Sequence, residues 1–251
     1  MSAIEIHAHP SSDYVIKLAE AQGVLAQAAA QYAGDNGRSA TIVQASSLGA
    51  EDVVISHLIN SLQLDIGIFV LETGALHQQT LDLLQRFKDS SRTPVTVYTP
   101  AQESVVRFVA REGKDAMYKS IALRKACCAI RKLEPLERAL KGMDAWITGL
   151  RREQSGARGD VLLVDASETR IKINPLARWT WGDVWHTIRE HKLDYNPLHD
   201  QFFPSIGCAP CTRAISLGED FRSGRWWWED ETAKECGLHV KAADAHQEAK
   251  P

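Results

Sequence analysis

Short apolar segments alternate with segments of helical periodicity through the first 150 residues, and this alternation constrains the fold more than any other feature. The predicted strands cover residues 40–45, 66–72, 94–99 and 145–150. The predicted helices cover residues 11–33, 50–62, 76–87, 102–111 and 120–140. Several of these strands are apolar throughout, as strands covered on both faces are. The chain is therefore predicted to be an α/β protein, with an open, mainly parallel sheet and helices on both faces.

The chain is long enough for one substantial core and an appended tail. It has 251 residues, of which 44% are hydrophobic. After residue 151 the pattern loosens, with short strands predicted over 161–165 and 170–175 and a capped helix over 180–191. From residue 226 the composition shifts toward charged and small residues. We therefore expect a main domain over residues 1–225 and a mobile C-terminal tail over 226–251.

Charge and hydropathy exclude several classes of function. A formal net charge of −3 argues against a broad nucleic-acid-binding face, although it allows a local basic pocket. No apolar run reaches the length of a membrane span, and the first 20 residues lack the pattern of a signal peptide. The sequence therefore predicts a cytoplasmic protein that binds neither membranes nor nucleic acids. Whether it forms a homo-oligomer is left open.

The loop after the first long strand is a candidate anion site. Ligands bind at the carboxyl ends of strands in open α/β sheets, where hydroxyls, a glycine and a helix N-terminus together attract phosphate. Serine caps and acidic first turns also stabilise many helices that bind nothing, and this alternative stays open. The candidate residues are Ser46, Ser47, Gly49, Glu51 and Asp52.

The end of the second long strand is a second candidate for ligand contact. Gly74 allows close approach of the backbone to a base or ribose, although a simple turn would also use a glycine. The candidate residues here are Leu71, Glu72, Thr73 and Gly74.

Four of the five cysteines form two pairs. An odd total in a chain without a secretory signal argues against a disulfide framework. Neighbouring cysteines on a helix diverge by about 100° and reach a single ion poorly, so the pattern favours an iron-sulfur cube over zinc. Structural zinc, or cysteines that are merely buried, remain the alternatives. The pairs are Cys127 with Cys128 and, 80 residues later, Cys208 with Cys211.

Basic residues surround the first cysteine pair. Lys132 lies four residues beyond Cys128 and is predicted on the same helical face, near the negative charge that four thiolates would carry. A solvated basic face is the alternative. The other basic residues of this segment are Arg124, Lys125 and Arg131.

Together these motifs resemble the assimilatory sulfonucleotide reductases, of the iron-sulfur adenylylsulfate (APS) reductase type. The resemblance spans nearly the whole chain. Besides the two strand-end loops, it includes the sequences CCxxRK from Cys127, GLRRxQ from Gly149, SxGCxxC from Ser205 and ECGLH from Glu235. The loop departs from the SGGxDS pattern of ATP-splitting relatives, which fits a nucleotide with one phosphate and one sulfate.

The resemblance implies an adenine nucleotide alpha hydrolase (PP-loop-like) fold, a 4Fe-4S cluster on the four paired cysteines, and reduction of APS to sulfite and AMP for cysteine biosynthesis. Cys236 would attack the sulfur to give an enzyme thiosulfonate, and thioredoxin would release sulfite. The phosphosulfate would be bound by Arg151, Arg222 and Arg225. Lys132 would lie between the cluster and the substrate.

Cys236 stands alone in an acidic tail. Acidic neighbours disfavour the reactive thiolate, so we expect closure of the tail to carry Cys236 into a basic pocket that favours it. His239 would donate a hydrogen bond or orient the tail, or else be an exposed bystander.

Three other functions compete with this interpretation. A reductase for the 3′-phosphorylated nucleotide (PAPS), or one acting on both nucleotides, is closest, but such enzymes usually lack the cysteine pairs. An iron-sulfur PP-loop enzyme that thiolates RNA should have an intact pyrophosphatase loop and a basic extension, and neither is visible. A non-catalytic zinc module is the third. The tryptophans at 226–228 are expected to anchor the tail, with a thioredoxin surface as the alternative.

Overall fold

A twisted sheet organises the fold. The computed structural model describes residues 1–229 except 36, 38, 168 and 217. Within these residues, six strands form one sheet in the order β3-β2-β1-β4-β6-β5, and the β5–β6 pair is antiparallel while the other pairs are parallel. The predicted α/β class is confirmed. The strands are β1 Ile42–Ser46, β2 Gly67–Leu71, β3 Val95–Tyr98, β4 Ala145–Ile147, β5 Val164–Asp165 and β6 Ile171–Ile173.

Helices cover both faces of the sheet, because its central strands are apolar on both sides. The helices are α1 Ala3–His7, α2 Tyr14–Gln31, α3 Ala50–Ser61, α4 Gln78–Ser90, α5 Gln102–Glu112, α6 Ile121–Cys128, α7 Glu134–Ala139 and α8 Trp181–Glu190. Ile42 and Ile147 pack with helices α2, α3 and α8 on one face of the sheet. Phe69 and Trp146 pack with Leu136 of helix α7 on the other face.

The predicted helix over 120–140 is interrupted. Helix α6 ends at Cys128, a π-helical turn spans Ala129–Leu133, and α7 continues to Ala139. Pro135 explains the interruption, since its ring lacks an N–H donor and would clash with the carbonyl four residues earlier in a regular α-helix. Sequence periodicity does not reveal such a local widening.

Helix α1 is absent from the sequence predictions. The Glu5 amide donates to Ser2 Oγ, and the Ser2 amide donates to Glu5 Oε2, so the two residues form a capping box. The spacing Ser-x-x-Glu was the signal that would have found it. The chain after α1 packs closely on the start of α8, where a Cβ on Gly182 would lie 2.0 Å from the carbonyl oxygen of His9.

The last described residues pack against the core. Trp226 is 1% exposed, whereas Trp227 is 39% exposed. The expectation that the aromatic run anchors the chain therefore holds for its first member. Residues 230–251 lie outside the described part of the chain, and with them most of the predicted tail, which stays a prediction.

The helices within the described ranges are not built to cross a membrane. None of them combines the necessary length with the necessary apolar character.

Candidate functional site

The loop between β1 and α3 folds back on itself through Asp52. The Ser47 amide and hydroxyl donate to Asp52 Oδ2 at 2.7 and 2.6 Å. Burial raises the pKa of Asp52 to about 6, against the opposing effect of these hydrogen bonds. Leu48 has a φ of 60°, and Gly49 is the N-cap of α3. Part of this loop's donor capacity is thus used internally, but no serine side chain caps α3, in contrast to the capping alternative.

Arg151 lies behind this loop. Its Nε donates to Glu51 Oε1 at 2.9 Å, and its Nη1 donates to Glu153 Oε2 at 2.8 Å. Gln154 Nε2 donates to the same Glu51 oxygen at 2.9 Å. Arg151 is fully buried and does not line the cleft described below, whereas Glu51 does. In this arrangement Arg151 positions Glu51, and its predicted contact with the phosphosulfate stays a prediction.

The segment after β2 connects the sheet edge to a cysteine. The Gly74 amide donates to Glu72 Oε1 at 2.6 Å, and Gly74 adopts a φ of 68°, which favours glycine. The hydroxyl of Thr73, a buried residue, lies 3.2 Å from the sulfur of Cys208. Arg131 Nη1 donates to the Thr73 carbonyl at 2.7 Å.

These elements surround a cleft of about 220 Å³ at the carboxyl ends of β1, β2 and β4. Three of the residues predicted to bind the substrate do not line the cleft: Glu72, Gly74 and Arg151. The others do. The predicted residues that line the cleft are Ser46, Ser47, Gly49, Glu51, Asp52, Leu71, Thr73, Lys132, Arg222 and Arg225.

Several lining residues were not among the predicted site residues. Gly149 follows β4, and a Cβ there would lie 2.4 Å from Asp52 Oδ1, so the close approach requires glycine. Its position at the end of a central strand was the available signal. His199 lies in a distant 3₁₀ helix, Pro197–Gln201, with no such signal. Burial lowers its pKa to about 4, so it is neutral. Other such residues are Thr148, Gln154, Arg158 and Phe221.

Arg225 forms a basic end of the cleft. Its guanidinium lies over the Trp226 ring, 4.6 Å from the centroid, and a Cβ on Gly207 would approach its Nη2 to 2.5 Å. Arg225 is 7% exposed, and its Nε has no hydrogen-bond partner among the described residues. Burial of an unsatisfied cationic donor costs free energy, so this site favours an anion. Lys132 and Arg222 line the same cleft.

The four paired cysteines are brought together by the fold. Cys127, Cys208 and Cys211 are buried in one cluster with Trp226, and all four are free thiols. Burial raises the pKa of Cys211 to about 12, and the charges of Cys208 and Cys128 contribute in the same direction. Burial also raises the pKa of Cys127, while Arg131 lowers it. The two pairs are thus electrostatic neighbours.

The paired cysteines can be compared with the donor set that a metal group requires. Among the described residues, no group of three or more His, Cys, Asp and Glu side chains is placed to hold a metal ion. Three thiols in one buried cluster, with the half-buried Cys128 as an electrostatic neighbour of Cys211, are a donor set that would fit a polynuclear cluster with separate irons. Cofactor binding stays a prediction. Three residues that line the cleft also reach the cysteine cluster. Thr73 contacts Cys208, Trp226 packs with the cysteines, and Arg225 lies over the Trp226 ring, so the two sites adjoin.

Cys236 and His239 lie outside the described residues. Their predicted roles in the reaction stay predictions.

The chain resembles known proteins over most of its length. The family model of the phosphoadenosine phosphosulfate reductase domain matches residues 41–214. A protein of Allochromatium vinosum named adenosine 5′-phosphosulfate reductase is 51% identical over 201 residues, which cover 79% of this chain and 78% of that protein. A protein of the same name from Burkholderia cepacia is 50% identical over 198 residues, covering 78% of this chain and 79% of the relative.

A solved structure has the same fold. The phosphoadenylyl-sulfate (PAPS) reductase of Candida auris, crystallised as a phosphate complex, superposes with a TM-score of 0.63 at 26% identity. The match covers 75% of this chain and 88% of that one. The domain match and the alignments with the two bacterial relatives each cover more than two thirds of this chain. This chain therefore belongs to the phosphoadenosine phosphosulfate reductase family.

Proposed function

We propose that this chain is an adenylylsulfate reductase, which reduces APS to sulfite and AMP in the assimilation of sulfate into cysteine. One observation carries the proposal: the buried, incompletely paired Arg225 lines a cleft at the carboxyl edge of the sheet that adjoins the cysteine cluster. The relatives at 50 and 51% identity, both named for APS, support this substrate over PAPS. Reduction of PAPS, or of both nucleotides, is the alternative outcome.

The substrate would lie along the cleft. The carboxyl ends of β1 and β2 would receive the adenosine, with backbone and side chains of Ser46 and Leu71 in its wall. The sulfonyl end would face Arg222, Arg225 and Lys132, whose charges would neutralise its oxygens.

The reaction would proceed in three thiol displacements. The Cys236 thiolate attacks the sulfur, the bond from sulfur to the bridging phosphate oxygen breaks, and AMP leaves with that electron pair. A thiolate of thioredoxin then attacks Cys236 Sγ and displaces sulfite. The second thioredoxin thiol resolves the mixed disulfide, so the Cys236 thiol returns and thioredoxin leaves as a disulfide. Both electrons come from the dithiol.

The cofactor proposal concerns Cys127, Cys128, Cys208 and Cys211, which would hold a 4Fe-4S cluster. When bound, such a cluster would order the helical segment that carries Lys132 and would polarise the sulfonyl end of the substrate. The chain's own residues bind the nucleotide, balance its charge and provide the nucleophile. Iron and sulfide analysis of anaerobically prepared protein, with a visible spectrum, separates this proposal from zinc.

The deciding experiment compares two variants with the wild type on APS and PAPS. We expect wild-type sulfite release from APS to exceed that from PAPS by at least about tenfold, because discriminating contacts are typically worth over about 1.4 kcal/mol. The Cys236→Ser chain should bind APS and release no sulfite, and Cys128→Ser should lose iron. Sulfite release by Cys236→Ser at the wild-type rate would overturn the mechanism. Equal or greater turnover of PAPS would overturn the substrate assignment.

A further inference from the structure

The cysteine cluster is bordered by an aromatic surface that the substrate cleft does not use. It consists of Tyr118, Trp227 and Trp228, which we call the aromatic surface. The Tyr118 and Trp228 rings meet edge to face at 4.5 Å, and those of Trp227 and Trp228 at 4.8 Å. Tyr118 is 43% exposed and Trp227 is 39% exposed. Neither Tyr118 nor Trp227 lines the cleft.

The aromatic surface is held rigidly from beneath. The Tyr118 hydroxyl donates to the Pro210 carbonyl at 2.6 Å, inside the turn that carries Cys208 and Cys211. Trp226 is buried against the cysteines, directly before the exposed Trp227. A rigid aromatic surface loses little conformational entropy when a partner covers it, and exposed aromatic residues of this kind are typical binding anchors.

Charges around the aromatic surface indicate the sign of the partner. Lys114 and Lys119 flank Tyr118 in sequence, and Lys125 follows on α6; all three are exposed. Asp115 is the exposed acid of the same stretch. Among the described residues, the border formed by 114–125 is thus basic on balance and complements a partner with an acidic border.

The reaction supplies the partner's chemistry. Release of sulfite from Cys236 needs two electrons from a dithiol, and Cys236 lies seven residues beyond Glu229. Seven residues span at most about 25 Å, so a protein that attacks residue 236 must dock within that reach of the aromatic surface. We propose that Tyr118, Trp227 and Trp228 dock the dithiol reductant, a protein with an apolar surface and acidic border around its thiols. This inference rests on the proposed function.

The test separates docking from chemistry by using two reductants. In Trp227→Ala we expect kcat/KM for reduced thioredoxin to fall at least about tenfold, as at an interface hot spot. Sulfite release with dithiothreitol should stay unchanged, because a small dithiol needs no docking surface. Leu162→Ala, at a residue that is 53% exposed elsewhere, is the matched control and should change neither rate.

A charge reversal tests the basic border. Lys114→Glu should lower kcat/KM for thioredoxin and weaken its dependence on salt, whereas Lys88→Glu on α4 should leave both unchanged. An equal loss with both reductants, no loss with thioredoxin, or a changed oligomeric state in Trp227→Ala would overturn the docking proposal. Absence of sulfite with either reductant in the wild type would instead overturn the proposed function.

Discussion

Arg124 and Glu229 form a buried ion pair that joins helix α6 to the last described residues. Arg124 Nη2 and Glu229 Oε2 are 2.6 Å apart, and the two side chains are 1% and 3% exposed. Arg124 also lies over the Trp226 ring, 4.7 Å from its centroid. The pair therefore fixes Glu229 to the helix that ends at Cys128.

Breaking this pair should destabilise the chain. In Glu229→Gln we expect the free energy of unfolding to fall by about 3–5 kcal/mol, since the buried guanidinium of Arg124 loses the carboxylate charge beside it. Urea unfolding of the variant and the wild type, prepared with the same cofactor content, measures this difference in the free energy of unfolding. Glu103→Gln, which breaks the exposed pair with Arg107, should cost at most about 1 kcal/mol. A loss in Glu229→Gln no larger than in this control would contradict the prediction.

Asp52 should make stability depend on pH. Its pKa rises from 3.8 to about 6 on folding, so the unfolded chain releases this proton first as the pH increases. The wild type should therefore lose stability relative to Asp52→Asn between pH 4 and 6, by about 3 kcal/mol in total, and the difference should be constant above that range. Urea midpoints of both proteins measure it. A difference that does not vary with pH would exclude the raised pKa.

Gly149→Ala should distort the cleft. The new methyl group would lie 2.4 Å from Asp52 Oδ1 and 3.0 Å from Glu51 Cβ, so the loop after β1 must move. We expect a loss of about 1–3 kcal/mol in stability and weaker AMP binding by calorimetry. Gly156→Ala is the control, because a methyl group at that position would meet no other atom within 4 Å. Equal AMP affinity in both variants would refute the role of Gly149.

Arg225→Ala should weaken substrate binding. Loss of charge-assisted hydrogen bonds typically costs about 1.5–3 kcal/mol, so the dissociation constant for APS should rise at least about tenfold. Equilibrium dialysis with the Cys236→Ser background prevents turnover during the measurement. Arg178→Ala removes an exposed arginine paired with Glu20 and should bind APS normally. Normal affinity in Arg225→Ala would show that the anion lies elsewhere.

The predictable part of the fold follows from local pattern and sheet geometry. Apolar strands alternating with helices specify a parallel sheet, and its carboxyl edge necessarily gathers Ser46, Leu71 and Gly149. The paired pattern of the cysteines led us to expect that the two distant pairs meet, and Cys127 of the first pair lies in one buried cluster with Cys208 and Cys211 of the second. These features depend on order along the chain, which a sequence displays directly.

Other features depend on packing between distant segments. Arg151 follows β4, where a substrate contact was expected, yet Glu51 and Glu153 draw its guanidinium behind the cleft. The cleft wall also contains His199, from a short 3₁₀ helix, and Phe221, from a turn, and neither segment has a periodic pattern. Which of several acids an arginine pairs with is decided by three-dimensional proximity, and no spacing rule encodes it.

The π-helical turn at Ala129–Leu133 sets the direction in which the side chains after it point, relative to those before it. Cys127 before it belongs to the cysteine cluster, while Leu136 and Ala139 after it belong to the core beneath the sheet. The turn holds one residue more than an α-helical turn, which offsets the second pattern by about 100° from the first. Deletion of one residue from the turn would leave Cys127, Leu136 and Ala139 in the chain. It would nevertheless rotate the side chains after the turn by about 100° relative to those before it, so the two sets could not both pack as they do here.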